Sequence, residues 1–177
     1  KNTKSLTPQT KVAAQWEICP PQTVPAWSAV GYLFGRNLQR DLKVPVGILS
    51  SAYGASTAEA WISREALSND LLIKPILDRF DVDVAAFKAN PAVTLGELPD
   101  HAKKPVTING RPGAAASRLG DPVNDQHQPT VLFNGQLNPL IPYAIKGAIW
   151  YQGESIVGGT KGLMNFGHVT NAMITDW

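Results

Sequence analysis

A single cysteine, Cys19, among 177 residues excludes an internal disulfide and any cysteine-built metal centre. Charge of one sign is also scarce: 16 Lys and Arg face 14 Asp and Glu, a formal net charge of +2. No dense basic run or interleaved aromatic stripe accompanies it, so nothing marks a nucleic-acid or membrane-surface partner. No apolar stretch approaches the roughly 18 residues of a membrane span, and neither a signal peptide nor an internal repeat is visible. The chain starts at Lys1 rather than Met, which reads as a processed product or a piece of a longer polypeptide. What is present is ordinary for a globular domain, with 44% apolar residues and enough length for a core.

The patterning favours an α/β protein. Val12, Ala14, Trp16 and Ile18 alternate with polar or small neighbours and predict a half-buried strand. Pro20, Pro21 and Pro25 interrupt regular structure until Ser28, a suitable N-cap for a helix running to about Leu42. Its apolar stripe is Val30, Phe34 and Leu38 beside Leu33, while Gly31 and Gly35 lie one turn apart and predict close packing against a strand. The near-continuous apolar run Val44 to Leu49 fits a strand covered on both faces, as in parallel sheets. Helical segments are expected from Thr57 and again over about Arg64 to Lys88, kinked or split at Pro75. Residues 89–129 have little periodicity and much Pro, Gly, Asn and Asp. They read as a surface excursion or an insertion over a site, the former favoured, and not as a domain linker. Leu137 to Ala144 is compact and Pro-interrupted, Lys146 to Tyr151 predicts a second buried strand, and Leu163, Phe166, Thr170, Met173 and Trp177 predict a final helix covering the sheet.

Chemistry concentrates at two strand ends. Ile149-Trp150-Tyr151 stops at Gln152-Gly153-Glu154-Ser155, and Val44–Leu49 stops at Ser50-Ser51-Ala52-Tyr53-Gly54. Ligands bind at the carboxyl ends of strands in α/β sheets, where loops converge. If the two strands are parallel neighbours, the backbone N–H of Gly54 and the amide of Gln152 point at one place and can hold an oxyanion. The plainer alternative, that Gly54 permits a turn and Gln152 caps a helix, stands level with it on spacing alone.

These same residues resemble a known family. Val44 to Trp61 is similar to the segment VPVGLI-x-SSWGGT-x-AEAW of sialate O-acetylesterases, Phe133 to Leu140 to their YNGMIAPL, Lys146 to Ser155 to their KG-x-IWYQGES, and Ser28 to Tyr32 to their FSAVGY. The closing Met173 to Trp177 also resembles a family helix, and the motifs run in order across most of the chain outside residues 89–129. The resemblance implies a flavodoxin-like SGNH hydrolase, a three-layer α/β/α sandwich with a mostly parallel sheet, here incomplete and forming one partial domain over residues 1–177. It implies removal of acetyl groups from sialic acid or related sugars by Ser-His-Asp catalysis, with no metal or other cofactor. Carried over by position, Gly54 and Gln152 form the oxyanion hole, Glu154 is the supporting carboxylate, and Ser51, Trp61 and Tyr151 line the substrate. An acetylated carbohydrate is then the partner, without nucleic acid or membrane, and a secreted or periplasmic location follows from the resemblance alone.

The departures are as specific as the matches. The family's nucleophile motif, GQSNM-like and upstream, and its downstream D-x-x-H base motif do not occur in these residues. Ala55 replaces the second glycine, Tyr53 the tryptophan, and Ile156 the asparagine usual after QGES. Ser50 or Ser51 with His101, His127 or His168 is a poor substitute triad, since His101 and His127 fall in the long loop and His168 on the final helix. The chain therefore reads as the middle of an esterase, with nucleophile and base elsewhere and doubtful stability in isolation. The alternative is a non-catalytic carbohydrate-binding or scaffold domain derived from such a hydrolase.

Overall fold

Ser28 begins the first helix as its sequence predicts: its hydroxyl accepts the N–H of Gly31 at 3.2 Å, satisfying one of the donors a helix start leaves open. In the computed structural model, which describes residues 3–89, 107–108, 111–112, 122–153 and 160–177, this helix is α1 (Ala29–Leu42). It ends on Lys43, whose left-handed φ of 58° turns the chain as its N–H bonds back to Gln39. The short helix α2 (Arg64–Asn69) is capped by the Ser63 hydroxyl, which accepts from Ala66 at 3.1 Å. After a turn comes α3 (Lys74–Ala89). Pro75 sits in its first turn, where a missing N–H costs nothing, so proline divides α2 from α3 instead of bending one long helix. Two-residue strands β1 (Thr107–Ile108) and β2 (Arg111–Pro112) pair antiparallel, Thr107 opposite Pro112 and Ile108 opposite Arg111. The chain closes with α4 (Thr160–Asp176).

The core lies among helices. Trp61, Ile62, Leu67, Ile73, Leu77, Phe80, Val131, Leu132, Val169 and Met173 are all buried and form one cluster. They come from the 3-10 turn Ala58–Trp61, from α2 and α3, from the stretch opening the π-helical turn Phe133–Leu137, and from α4. The ends of the cluster are pinned by polar bonds. At the last turn of α4, Asp176 accepts the Ser63 N–H at 2.7 Å and the Ser63 hydroxyl at 2.6 Å. A carboxylate at a helix C-terminus opposes the macrodipole, and these two donors offset that cost. Arg64 grips Asp81 of α3 with both terminal guanidinium nitrogens.

The sheet is where the sequence reading is corrected. Among the described residues the β1–β2 pair is the one hydrogen-bonded ladder. Residues 12–18, 44–49 and 146–151 form neither helix nor strand, and no backbone hydrogen bonds join them. An apolar run signals extended chain but not a partner, and parallel strands are stable only when covered on both faces. Here Ile18 is 91% exposed and Tyr151 83% exposed, so these runs are unpaired and only partly covered. One layer contact survives: an added Cβ on Gly35 would overlap Ile48, and one on Gly31 would lie 3.9 Å from it, so α1 packs on residues 46–48 through its glycines. The predicted stripe of α1 is otherwise open, with Val30, Leu33 and Phe34 exposed. The final helix is present as predicted, but it covers the tryptophans and the helical core in place of a sheet. Most of the long loop, including His101, lies outside the described residues.

The amino-terminal segment is stitched across the π-helical turn. The wider π turn leaves carbonyls without helical partners, and residues 3–9 supply donors. Ser5 N–H bonds to Val131 and Gln9 N–H to Asn134, both at 3.0 Å, and the Thr3 hydroxyl bonds to the Gly135 carbonyl at 2.7 Å. Gly135 is required by this crossing, because a Cβ there would overlap the Thr3 carbonyl. Gly135→Ala should therefore cost about 1–3 kcal/mol, the usual range for overpacking. Denaturant unfolding checks the value, and limited proteolysis should show residues 3–9 becoming cleavable.

Candidate active site

The loop after residue 49 is organised around Ser56, which the sequence reading did not single out. Ser56 is 5% exposed. Its hydroxyl donates to the Tyr53 carbonyl at 2.9 Å, closing the turn that carries Gly54. The same oxygen accepts the indole N–H of Trp61 at 2.9 Å. From the other loop, the amide Nε2 of Gln152 donates to the Ser56 carbonyl at 3.0 Å. The two segments, 96 residues apart, thus meet. No periodic signal announces a serine that bonds in three directions, and its place in a small, hydroxyl-rich stretch is all the sequence offers.

The structure places the predicted site residues other than Glu154. Gly54 lies exposed in the turn with open space where a Cβ would sit, and Ser51 is half-buried beside it. Ala55, where the resemblance expects glycine, carries φ of 56°, a left-handed conformation that costs an alanine about 1–2 kcal/mol. Tyr53 is half-buried, and Lys4 Nζ bonds its hydroxyl at 3.2 Å and the Asn124 carbonyl at 2.6 Å. Lys4 Nζ also lies 4.9 Å from the centre of the Tyr53 ring. Trp61 is in the core, at 2% exposure, and touches the loop from inside through Ser56. Tyr151 is exposed. Gly153 has φ of 154°, and its missing Cβ would lie 3.5 Å from the Phe166 ring of α4, so the second loop rests on that helix. Glu154 and Ser155 lie outside the described residues.

A tryptophan triad holds the two loops in register. Trp150 stands edge-on to Trp61 at 5.8 Å and to Trp177 at 5.2 Å, and the Trp177 indole N–H bonds the Trp61 carbonyl at 3.0 Å. Such T-shaped pairs add about 0.5–1.5 kcal/mol each beyond area burial. Beneath the loops, Glu59 Oε2 and Trp150 Nε1 are buried without a hydrogen-bond partner. Among the described residues, neither His127 nor His168 hydrogen-bonds Ser50 or Ser51. His127 Nδ1 pairs with Asp125 at 2.7 Å, and His168 Nε2 pairs with Asp70 at 2.6 Å.

The second pair ties α4 to the α2–α3 turn. The His168 bond holds the Asp70 carboxyl below the usual carboxylate range, against the opposing effect of its partial burial, and the Leu72 N–H adds to the lowering. A depressed folded-state value contributes stability above the unfolded value, about 3.9, and that contribution is lost as pH falls through the depressed one. Stability should decline below about pH 4, and Asp70→Asn should flatten that decline while costing about 1 kcal/mol at neutral pH, a modest figure because the pair is solvent-accessible. Urea midpoints across the acid range measure both.

No family model matches the chain. Human sialate O-acetylesterase is 29% identical over 150 residues, covering 85% of this chain and 21% of that protein. The rat sialate O-acetylesterase is 27% identical over 158 residues, covering 85% of this chain and 25% of its own length. The crystal structure of a carbohydrate acetylesterase from Xanthomonas citri superimposes with a TM-score of 0.66 at 25% identity, covering 100% of this chain and 29% of that one. Over most of its length this chain is similar to part of the sialate O-acetylesterases. It spans about a fifth to a quarter of the length of the curated relatives it matches. Over that span it shares its fold with part of a solved carbohydrate acetylesterase, although the described residues form no parallel sheet. No helix among the described residues is long and apolar enough to cross a membrane. The Gln152–Ser56 bond therefore joins two of the segments through which this chain resembles sialate O-acetylesterases.

Proposed function

We propose that this chain supplies the oxyanion-binding part of a carbohydrate O-acetylesterase acting on sialic acid or related acetylated sugars. The observation that carries the reading is the 3.0 Å bond from Gln152 to the Ser56 carbonyl, which brings the amide within two residues of Gly54. A primary amide has two N–H donors. The Gln152 amide donates at this junction and, with the Gly54 N–H, meets the negative charge that develops on an acetyl carbonyl oxygen. Glu154 braces the second loop, while Ser51 and Tyr151 border the sugar and Trp61 supports the turn from below.

The nucleophilic serine and its His/Asp partners come from residues outside this segment. The serine Oγ adds to the acetyl carbonyl as its proton passes to the histidine. The sugar hydroxyl leaves with that proton, and water then releases acetate from the acyl-enzyme. In the full-length protein, residues 12–18, 44–49 and 146–151 join a mostly parallel sheet of a three-layer SGNH-type domain, which covers the apolar side chains left exposed here. Residues 1–177 form a single partial domain with the long loop at about 89–129 as an insertion. The protein works outside the cytoplasm, secreted or periplasmic, without a cofactor.

A serine-reactive fluorophosphonate added to the full-length protein should label one serine outside residues 1–177, mapped by peptide mass spectrometry. Absence of any label, with sugar binding retained, would instead identify a non-catalytic binding domain. Labelling of Ser50 or Ser51 would overturn the division of labour proposed here.

A further inference from the structure

Lys4 is half-buried, and among the described residues it makes no ion pair. Its ammonium serves two neutral oxygens, the Asn124 carbonyl at 2.6 Å and the Tyr53 hydroxyl at 3.2 Å. These partners lie 120 and 49 residues along the chain, so one side chain ties the amino-terminal segment to two distant turns. The ammonium also stands 4.9 Å from the centre of the Tyr53 ring, within cation–π range. A lysine stem is flexible, but this one starts from a fixed base. The Thr3 hydroxyl donates to the Gly135 carbonyl at 2.7 Å, and the Ser5 N–H donates to the Val131 carbonyl at 3.0 Å. Leu6 packs against the hydrophobic core.

Tyr53 opens the turn that carries Gly54. Nothing packs on the apex of this turn, because Gly54 is exposed and no atom lies within 4 Å of where its Cβ would sit. Ala55 nevertheless holds a left-handed φ of 56°. A non-glycine residue keeps such a conformation only where its surroundings over-determine it. The restraint therefore comes from the flanks. On one side, the Ser56 hydroxyl donates to the Tyr53 carbonyl at 2.9 Å, and the Ser56 carbonyl accepts from Gln152 at 3.0 Å. On the other, the Tyr53 ring packs against the core, and Lys4 holds both its hydroxyl and its face.

We infer that Lys4 is a positioning residue for the turn that presents the Gly54 N–H. It acts through Tyr53: by fixing the phenol it fixes the first residue of the turn, and with it the direction of the next N–H. Lys4 does not itself meet the substrate, and its charge is spent on the loop. The inference rests on the oxyanion reading above and deepens it by naming the residue that aims one of the two donors.

The test uses the full-length protein, p-nitrophenyl acetate as substrate, and the variants Lys4→Met, Tyr53→Phe, their combination and Thr3→Val. Lys4→Met should lower kcat about tenfold with KM nearly unchanged, because a misaimed donor is missed only in the transition state. Tyr53→Phe keeps the ring and removes the hydroxyl, so its loss should be no larger. The double variant should be no slower than Lys4→Met, since both substitutions break the same bond. Thr3→Val removes a neighbouring bond of the same segment and should leave kcat unchanged. Limited chymotrypsin digestion reads the turn without turnover: cleavage after residue 53 should be about fivefold faster in Lys4→Met, through local opening, and unchanged in Thr3→Val. Unchanged kcat or unchanged cleavage in Lys4→Met, losses that multiply in the double variant, or an equal loss in Thr3→Val would overturn the inference. A wild type without turnover would refute the oxyanion reading itself, and the digestion would still decide whether Lys4 holds the turn.

Discussion

Gln152→Ala in the full-length protein is expected to lower kcat for acetyl-ester hydrolysis by about 10²–10³-fold, the usual loss when one oxyanion donor is removed. The KM should change little, because the oxyanion forms only in the transition state and the ground-state carbonyl draws little from the donor. Loss of the bond to the Ser56 carbonyl adds a stability cost of about 1 kcal/mol, too small to unfold a domain of ordinary stability. Gln152→Glu is the sharper variant. It keeps the shape and replaces the N–H donor with a carboxylate oxygen facing the Ser56 carbonyl, so both the loop junction and the oxyanion site become repulsive. Its kcat should fall at least as far as that of the alanine variant. Steady-state kinetics with a thermal melt on each variant separate the catalytic loss from misfolding.

Trp61→Ala should produce the largest stability loss in the chain, about 3–5 kcal/mol, the range for truncating a buried large aromatic. Trp61 is fully buried, stacks edge-on with Trp150, donates to Ser56 and offers its carbonyl to Trp177. A loss of that size is a large part of the whole stability of a typical domain, so the variant should be mostly unfolded at modest denaturant. Trp61→Phe isolates the polar function. It fills most of the space and removes the indole N–H, which should cost about 1–2 kcal/mol. Ser56 then loses one of the bonds that fix the Gly54 turn, so activity should fall further than that modest stability change implies. Urea unfolding monitored by fluorescence gives the first quantity, and kinetics of the phenylalanine variant give the second.

These effects trace back to what the residues announce and what they conceal. The cap at Ser28, the close packing at Gly31 and Gly35, the break at Pro75 and the closing helix were all legible, because capping, missing side chains, proline and helical spacing leave local marks. The apolar runs at residues 12–18, 44–49 and 146–151 predicted strands, and none of the three forms one here. They did not signal pairing, because a ladder depends on partner strands that spacing within one segment does not specify. The Ser56 junction, the tryptophan triad and the crossing of residues 3–9 over the π turn were not legible. Each depends on groups brought together from distant positions, such as the 132-residue separation of Thr3 and Gly135. Of the candidate site, Gly54 and Gln152 lie in loops that do meet. Trp61, expected at the substrate wall, is held in the core by its size and by its bond to Ser56. Glu154 falls outside the described residues.

The central claim is that these residues form the oxyanion-binding part of a sugar acetylesterase. It is tested most directly by incubating the full-length protein with O-acetylated sialic acid and following free acetate by NMR. The account predicts catalytic release of acetate from the wild type and its near-complete loss in Gln152→Ala. Absence of acetate release by the wild type, or release that Gln152→Ala leaves unchanged, would contradict it.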